Sequence, residues 1–132
     1  MPDTLPDLWP EIETENIVTP LAILRYQAGQ LRTKTKGLIE AEVRTQQTEY
    51  GWVLHHFVLI APALERYEYE IATFQHGVTL VYPVNADSQT ENERECSNQN
   101  ELLEAVSKIL RSDRVRSVIS SLIAQSLDMK QN

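Results

Sequence analysis

The side chains able to do acid–base or metal chemistry fall in one stretch, residues 40–76. His55 and His56 are adjacent, His76 follows, and Glu40, Glu42, Glu68 and Glu70 form two pairs of carboxylates spaced two apart. On β-strands, that spacing puts both members of a pair on the same face. Paired carboxylates that meet an imidazole can act as general acid and base. As metal ligands the histidines are poorly placed: His55 and His56 point to opposite faces of a strand, and residues 75–77 read as a hairpin turn that holds His76 away from them. His-x-x-x-His and Cys-x-x-Cys spacings are absent from the sequence, so no metal or other cofactor is expected. The single cysteine, Cys96, lies between Glu95 and Ser97, a setting that raises rather than lowers a thiol pKa. The chain's 4 glycines are isolated, which leaves no phosphate-cradling loop.

Positioning these groups requires a sheet. Residues 38–47 alternate, with Ile39, Ala41, Val43 and Thr45 against Glu40, Glu42, Arg44 and Gln46. Residues 52–61, Trp-Val-Leu-His-His-Phe-Val-Leu-Ile-Ala, are apolar on both faces, as in a central strand. Residues 66–74 alternate again, and 78–82 form a short run stopped by Pro83, which suits an edge. With turns at 48–51 and 62–65, these pair as an antiparallel four-stranded meander. Simple registers then put Ile39, Val43, Thr45, Leu54, His56, Val58, Ile60 and Ile71 on the core face. The other face carries Val53, His55, Phe57, Leu59 and Ala61, flanked by Glu40 and Glu42 on one side and Glu68 and Glu70 on the other.

Helices flank this meander. Thr19 as cap, Pro20 at the first position, a stripe of Leu21, Leu24, Ala28 and Leu31, and Gly37 as stop predict a first helix. Asn98 with Glu101 starts a second helix, striped by Leu102, Leu103, Val106, Ile109 and Leu110. Ser112-Asp113 recaps a third, which carries Val115, Val118, Ile119, Leu122, Ile123 and Leu127. Pro2, Pro6 and Pro10 make residues 1–16 an extended arm, with Leu5, Leu8 and Trp9 available to dock it. Residues 85–97 are polar and aperiodic, and read as a mobile loop. The expected architecture is therefore α+β, in the order α-β-β-β-β-α-α, with residues 17–132 as a single domain.

Length, composition and charge bound the function. A chain of 132 residues is one domain, and 42% hydrophobic with 23% charged residues is ordinary for a globular protein. Net charge is −7, which argues against nucleic acid and against an anionic membrane surface as partners. No basic-then-apolar leader is seen at the N-terminus and no apolar run is long enough to span a bilayer, so a cytoplasmic protein is expected. In size, acidity and helix-flanked sheet the chain is similar to small binding adaptors such as secretion chaperones, at the level of architecture and without a shared motif. The leading expectation is a non-enzymatic interaction or adaptor domain, acting as a homodimer or with a protein partner. Its interface would be the strip of Val53, His55, Phe57 and Leu59 with its rim of glutamates, or the C-terminal helices. The alternative is a small enzyme or ligand binder whose pocket joins Glu42, His55 and Glu70.

Overall fold

A computed structural model describes residues 4–14, 17–89 and 92–131. The elements in chain order are α1 (Pro20–Lys34), β1 (Glu40–Gln47), β2 (Trp52–Ala61), a 3-10 turn (Pro62–Leu64), β3 (Tyr67–Gly77), β4 (Val84–Ser88), β5 (Arg94–Cys96), α2 (Gln99–Leu110) and α3 (Asp113–Lys130). The α+β class, the antiparallel sheet and the one-plus-two arrangement of helices match the sequence reading. The sheet has five strands rather than four, in the spatial order β1-β2-β3-β4-β5.

The helices begin and end where their caps are. Thr19 Oγ1 accepts from the Ala22 N–H at 3.2 Å. After Lys34 the chain turns through Lys36 and Gly37 at positive φ, the conformation glycine adopts without strain. Asn98 Oδ1 accepts from Glu101 N–H at 3.0 Å, and Glu101 Oε1 reaches back to Ser97 N–H at 2.8 Å. This is a reciprocal cap displaced by one residue from the standard box. Ser112 Oγ accepts from Val115 N–H and restarts the chain as α3.

All three helices contribute to one core, on one face of the sheet. Ile23 and Leu24 of α1, Leu102, Val106 and Ile109 of α2, and Val115 and Leu122 of α3 cluster with Phe57, Leu59, Ala61, Ala72, Phe74, Val84 and Ala86. The fold is thus a two-layer sandwich in which Ile39, Val43 and Ile71 lie on the core side, as expected from sequence, while β2 is turned over and presents Phe57, Leu59 and Ala61 in place of Val58 and Ile60. Two connections account for this. Thr48 N–H donates to Trp52 C=O at 2.8 Å, which closes a three-residue loop, 49–51, with Gly51 at φ 86°. An odd loop pairs odd residues with odd ones: Val43 opposite Phe57, Thr45 opposite His55. A four-residue turn would have paired odd with even. The β2–β3 connection, by contrast, is one residue longer than 62–65, because Glu65 and Arg66 are both left-handed. Leu59 therefore opposes Tyr69 rather than Glu68.

β3 also changes phase within itself. A bulge between Phe57 and Val58 of the β2 ladder leaves Ile71 as an extra residue. Tyr69 and Ile71 before it, and Ala72, Phe74 and His76 after it, thereby share the core face, although their numbering changes parity. Residues 75–77, expected as a turn, lie inside β3, and the 78–82 run is a connection rather than a strand. The stretch 85–97, expected as a loop, supplies β4 and β5. The buried side chains of these two strands are Val84, at the start of β4, Ala86 and Cys96, at 0%, 2% and 0% exposure in that order. Among the described residues, no helix is long and apolar enough to cross a membrane.

Candidate functional site

The residues named from sequence as one interface separate onto two faces. His55, Phe57 and Leu59 are buried under the helices, at 3%, 3% and 0% exposure, and Val53 is half-buried beside them. They form the protomer's own core, not an open strip. Glu40, Glu42, Glu68 and Glu70 stand on the opposite face beside Val58 and Ile60. The pocket of Glu42, His55 and Glu70 is therefore not assembled, since the sheet itself separates the imidazole from both carboxylates.

On the open face Glu42, Glu68 and Glu70 are hydrogen-bonded to Arg44 or His56, while Glu40 lies 4.0 Å from Arg32. Arg44 Nη1 and Nη2 donate to the two oxygens of Glu68 at 2.8 and 2.7 Å, and Arg44 Nε and Nη2 donate to Glu42 Oε2. Arg44 opposes His56 on β2 and Glu68 opposes Ile60, so the guanidinium crosses β2 above Val58. That bridge, with the aliphatic stems beside it, accounts for an apolar Val58 only 4% exposed on a face that no helix covers. The two glutamates raise the Arg44 pKa, and Arg44 in turn holds the Glu68 carboxyl below its ordinary value. His56, expected on the core face, is the imidazole that does meet a carboxylate: its Nδ1–H donates to Glu70 Oε1 at 2.9 Å. Thr73 lies between them and donates to Glu70 Oε2 at 3.4 Å.

Beneath the helices His55 meets His76, whose place in β3 the sequence reading missed. Their Nε2 atoms are 2.8 Å apart, His55 Nδ1 is 2.8 Å from Thr45 Oγ1, and His76 Nδ1 is 2.8 Å from the Gly77 carbonyl. A carbonyl only accepts, so His76 carries its proton on Nδ1 and its Nε2 is bare. His55 must then donate from Nε2 and accept the Thr45 hydroxyl proton at Nδ1. The neutral pair has one consistent ordering of protons, running from Thr45 to the Gly77 carbonyl. Burial, followed by the nearness of His76, Arg25 and His56, lowers the His55 pKa to about 4. Neither histidine lines any of five depressions on the surface. Cys96 is fully buried, and burial raises its thiol pKa.

Two other features face solvent. Every residue from 4 to 14 is exposed; Leu5, Leu8, Trp9 and Ile12 are 74%, 87%, 78% and 64% exposed. Leu5, Leu8 and Trp9 thus do not pin the arm to the body of this protomer. The second feature is a groove of about 560 Å³ between the start of β3 and α3, built from Leu64, Tyr67, Tyr69, Arg114, Val118 and Leu122. Its lining contains no carboxylate, whereas four other depressions each include at least one. Arg114 Nε donates to the Tyr69 hydroxyl oxygen at 3.3 Å. The signal for the groove was the α3 stripe together with Tyr67 and Tyr69 of the alternating 66–74 run. Among the described residues, no group of three or more His, Cys, Asp or Glu side chains is arranged to hold a metal ion. The chain matches no protein-family model, and no curated protein or solved structure is significantly similar to it.

Proposed function

We propose that this chain is a cytoplasmic protein-interaction domain, an adaptor rather than an enzyme, which works as a homodimer or with a protein partner. The interaction is carried by the N-terminal arm, not by the sheet strip. The observation behind this reading is the contrast in apolar exposure. The body seals Phe57, Leu59, Phe74 and Leu102 to 3% or less, while the arm holds Leu8 and Trp9 at 87% and 78% exposed. Tryptophan and leucine on an extended segment are the side chains from which interface anchors are made. Proline at 6 and 10 stiffens that segment and reduces the entropy lost when it is ordered on a partner. A reducing compartment suits the one buried thiol, Cys96.

The test compares the wild-type chain with a Leu8→Ser/Trp9→Ser variant. Light scattering across a dilution series, and recovery of stoichiometric complexes under native conditions, should show association in the wild type and its loss in the variant. Thermal melting of dilute samples should be unchanged. A wild-type chain that stays monomeric and yields no stoichiometric complex would rule the reading out.

A further inference from the structure

Resting on the interaction reading above, we infer that the occupant of the β3–α3 groove is the N-terminal arm of a second copy of this chain. The two surfaces match in chemistry. The arm is acidic and apolar, with Asp7 and Glu11 between Leu5, Leu8, Trp9 and Ile12. The groove has an apolar floor of Leu64, Val118 and Leu122, two tyrosines on its wall, and Arg114 as its charge. In a chain of net charge −7, a concavity lined by a cation and no carboxylate is a place where an acidic segment meets no like charge. The larger depression at the α2–α3 corner, about 850 Å³, has Glu104 and Asp113 in its lining and Leu103 as its apolar side chain. It offers neither an apolar floor nor a purely positive rim. A groove of about 560 Å³ lies within the range that holds a large anchor such as an indole.

Topology sets the arm's root away from its own groove. Arg32, near the C-terminal end of α1, lies 4.0 Å from Glu40 at the start of β1. Glu40 pairs with Ile60, next to the Leu64–Tyr67 end of the sheet where the groove opens. α1 runs back along β1 from there, and Arg25 is close enough to His55 to influence it. At 1.5 Å per residue the helix carries Thr19 about 20 Å towards the far end of the sheet. The arm therefore starts at the end opposite the groove, and reciprocal exchange between two copies brings each arm to a groove without doubling back along its own α1. Two identical contacts of this kind close a two-fold dimer.

The experiment pairs groove variants with a cross-link. Arg114 and Ser121 are both exposed, so Arg114→Glu/Ser121→Glu leaves the core untouched while giving the groove the sign of the arm. This variant should dimerise at least ~10-fold more weakly than wild type, and Asp7→Lys/Glu11→Lys in the arm should restore association when mixed with it. Oxidation of a mixture of a Leu8→Cys chain and a differently tagged Ser121→Cys chain should give a covalent heterodimer. In a chain carrying both substitutions, a disulfide formed wholly within the monomer would show the arm in its own groove and overturn the inference. So would a wild-type dimer sensitive to Leu8→Ser/Trp9→Ser but indifferent to the groove charges, a result that leaves the interaction reading intact. A chain that is monomeric at all concentrations yet binds another protein through its arm would likewise overturn the second copy alone.

Discussion

The buried imidazoles make the most direct prediction available from single residues. His55 has its pKa lowered to about 4, first by burial and then by His76, while in the unfolded chain it titrates near 6.5. Between those values the unfolded state binds a proton that the folded state does not. Stability therefore rises with pH across the window, and acid is what removes it. From pH 7 to pH 5 the loss should be about 2 kcal/mol, measurable as a falling denaturant midpoint at constant slope. His55→Gln should be less stable at pH 7 but flatter in its pH dependence. An equally steep profile in that variant would place the proton uptake elsewhere. That window lies above the pH range in which Glu68, whose carboxyl Arg44 holds below its ordinary value, takes up a proton. At this scale the sequence was partly legible. The opposed orientation of His55 and His56 follows from the pleat alone. The partner of His55 did not, because a histidine before a glycine reads as a turn. The better signal was the Ala72, Phe74, His76 alternation, which continues the strand through Gly77.

Between residues and the whole fold, the helices were read more securely than the strands, for a physical reason. A helix announces its own ends through groups within four residues of each other, as Thr19, Asn98 and Ser112 do here. Strand pairing depends instead on loops whose length by one residue decides which face is buried. The loop that ends at Gly51, at positive φ, is one residue shorter than expected, and the connection through the left-handed Glu65–Arg66 pair is one residue longer. Together they turn β2 over while leaving β1 and the start of β3 on the side expected. β4 and β5 escaped notice because Asn85, Asp87, Glu93 and Glu95 surround the three side chains they bury. The bulge at Ile71 is where this sensitivity becomes testable. Ile71 and Ala72, 5% and 3% exposed, both enter the core, so deleting Ile71 would turn either Tyr69 or Phe74 and His76 outward. Cooperative thermal unfolding should be abolished by that deletion. A glycine inserted after Thr79, in the exposed connection, changes chain length equally and should cost less than about 1 kcal/mol. A cooperative melt for the deletion variant would mean that β3 re-registers without the bulge.

For the whole molecule, the decisive asymmetry is between a body that buries its apolar groups and an arm that does not. The sandwich places three helices on one face of the sheet and leaves the other to Arg44, His56 and four glutamates. Since that open face is already knitted by its own ion pairs, an apolar partner gains little by covering it, and exposed pairs of this type contribute about 0–1 kcal/mol each. The exposed apolar surface on residues 4–14 makes no contribution to the body's core. Removing residues 1–14 should therefore leave the dilute protein's unfolding free energy within about 0.5 kcal/mol of wild type, the range of a surface change. Concentration then separates folding from association. Binding to the native state raises its apparent stability with ligand concentration, so the full chain's melting temperature should climb as protein concentration increases, while that of the truncated chain stays level. Differential scanning calorimetry over a hundredfold range of concentration reads both at once. Parallel behaviour of the two chains would show that the arm takes no part in self-association. A truncated chain that is already destabilised when dilute would show instead that the arm packs on its own body, and would assign Leu8 and Trp9 to the protomer's core.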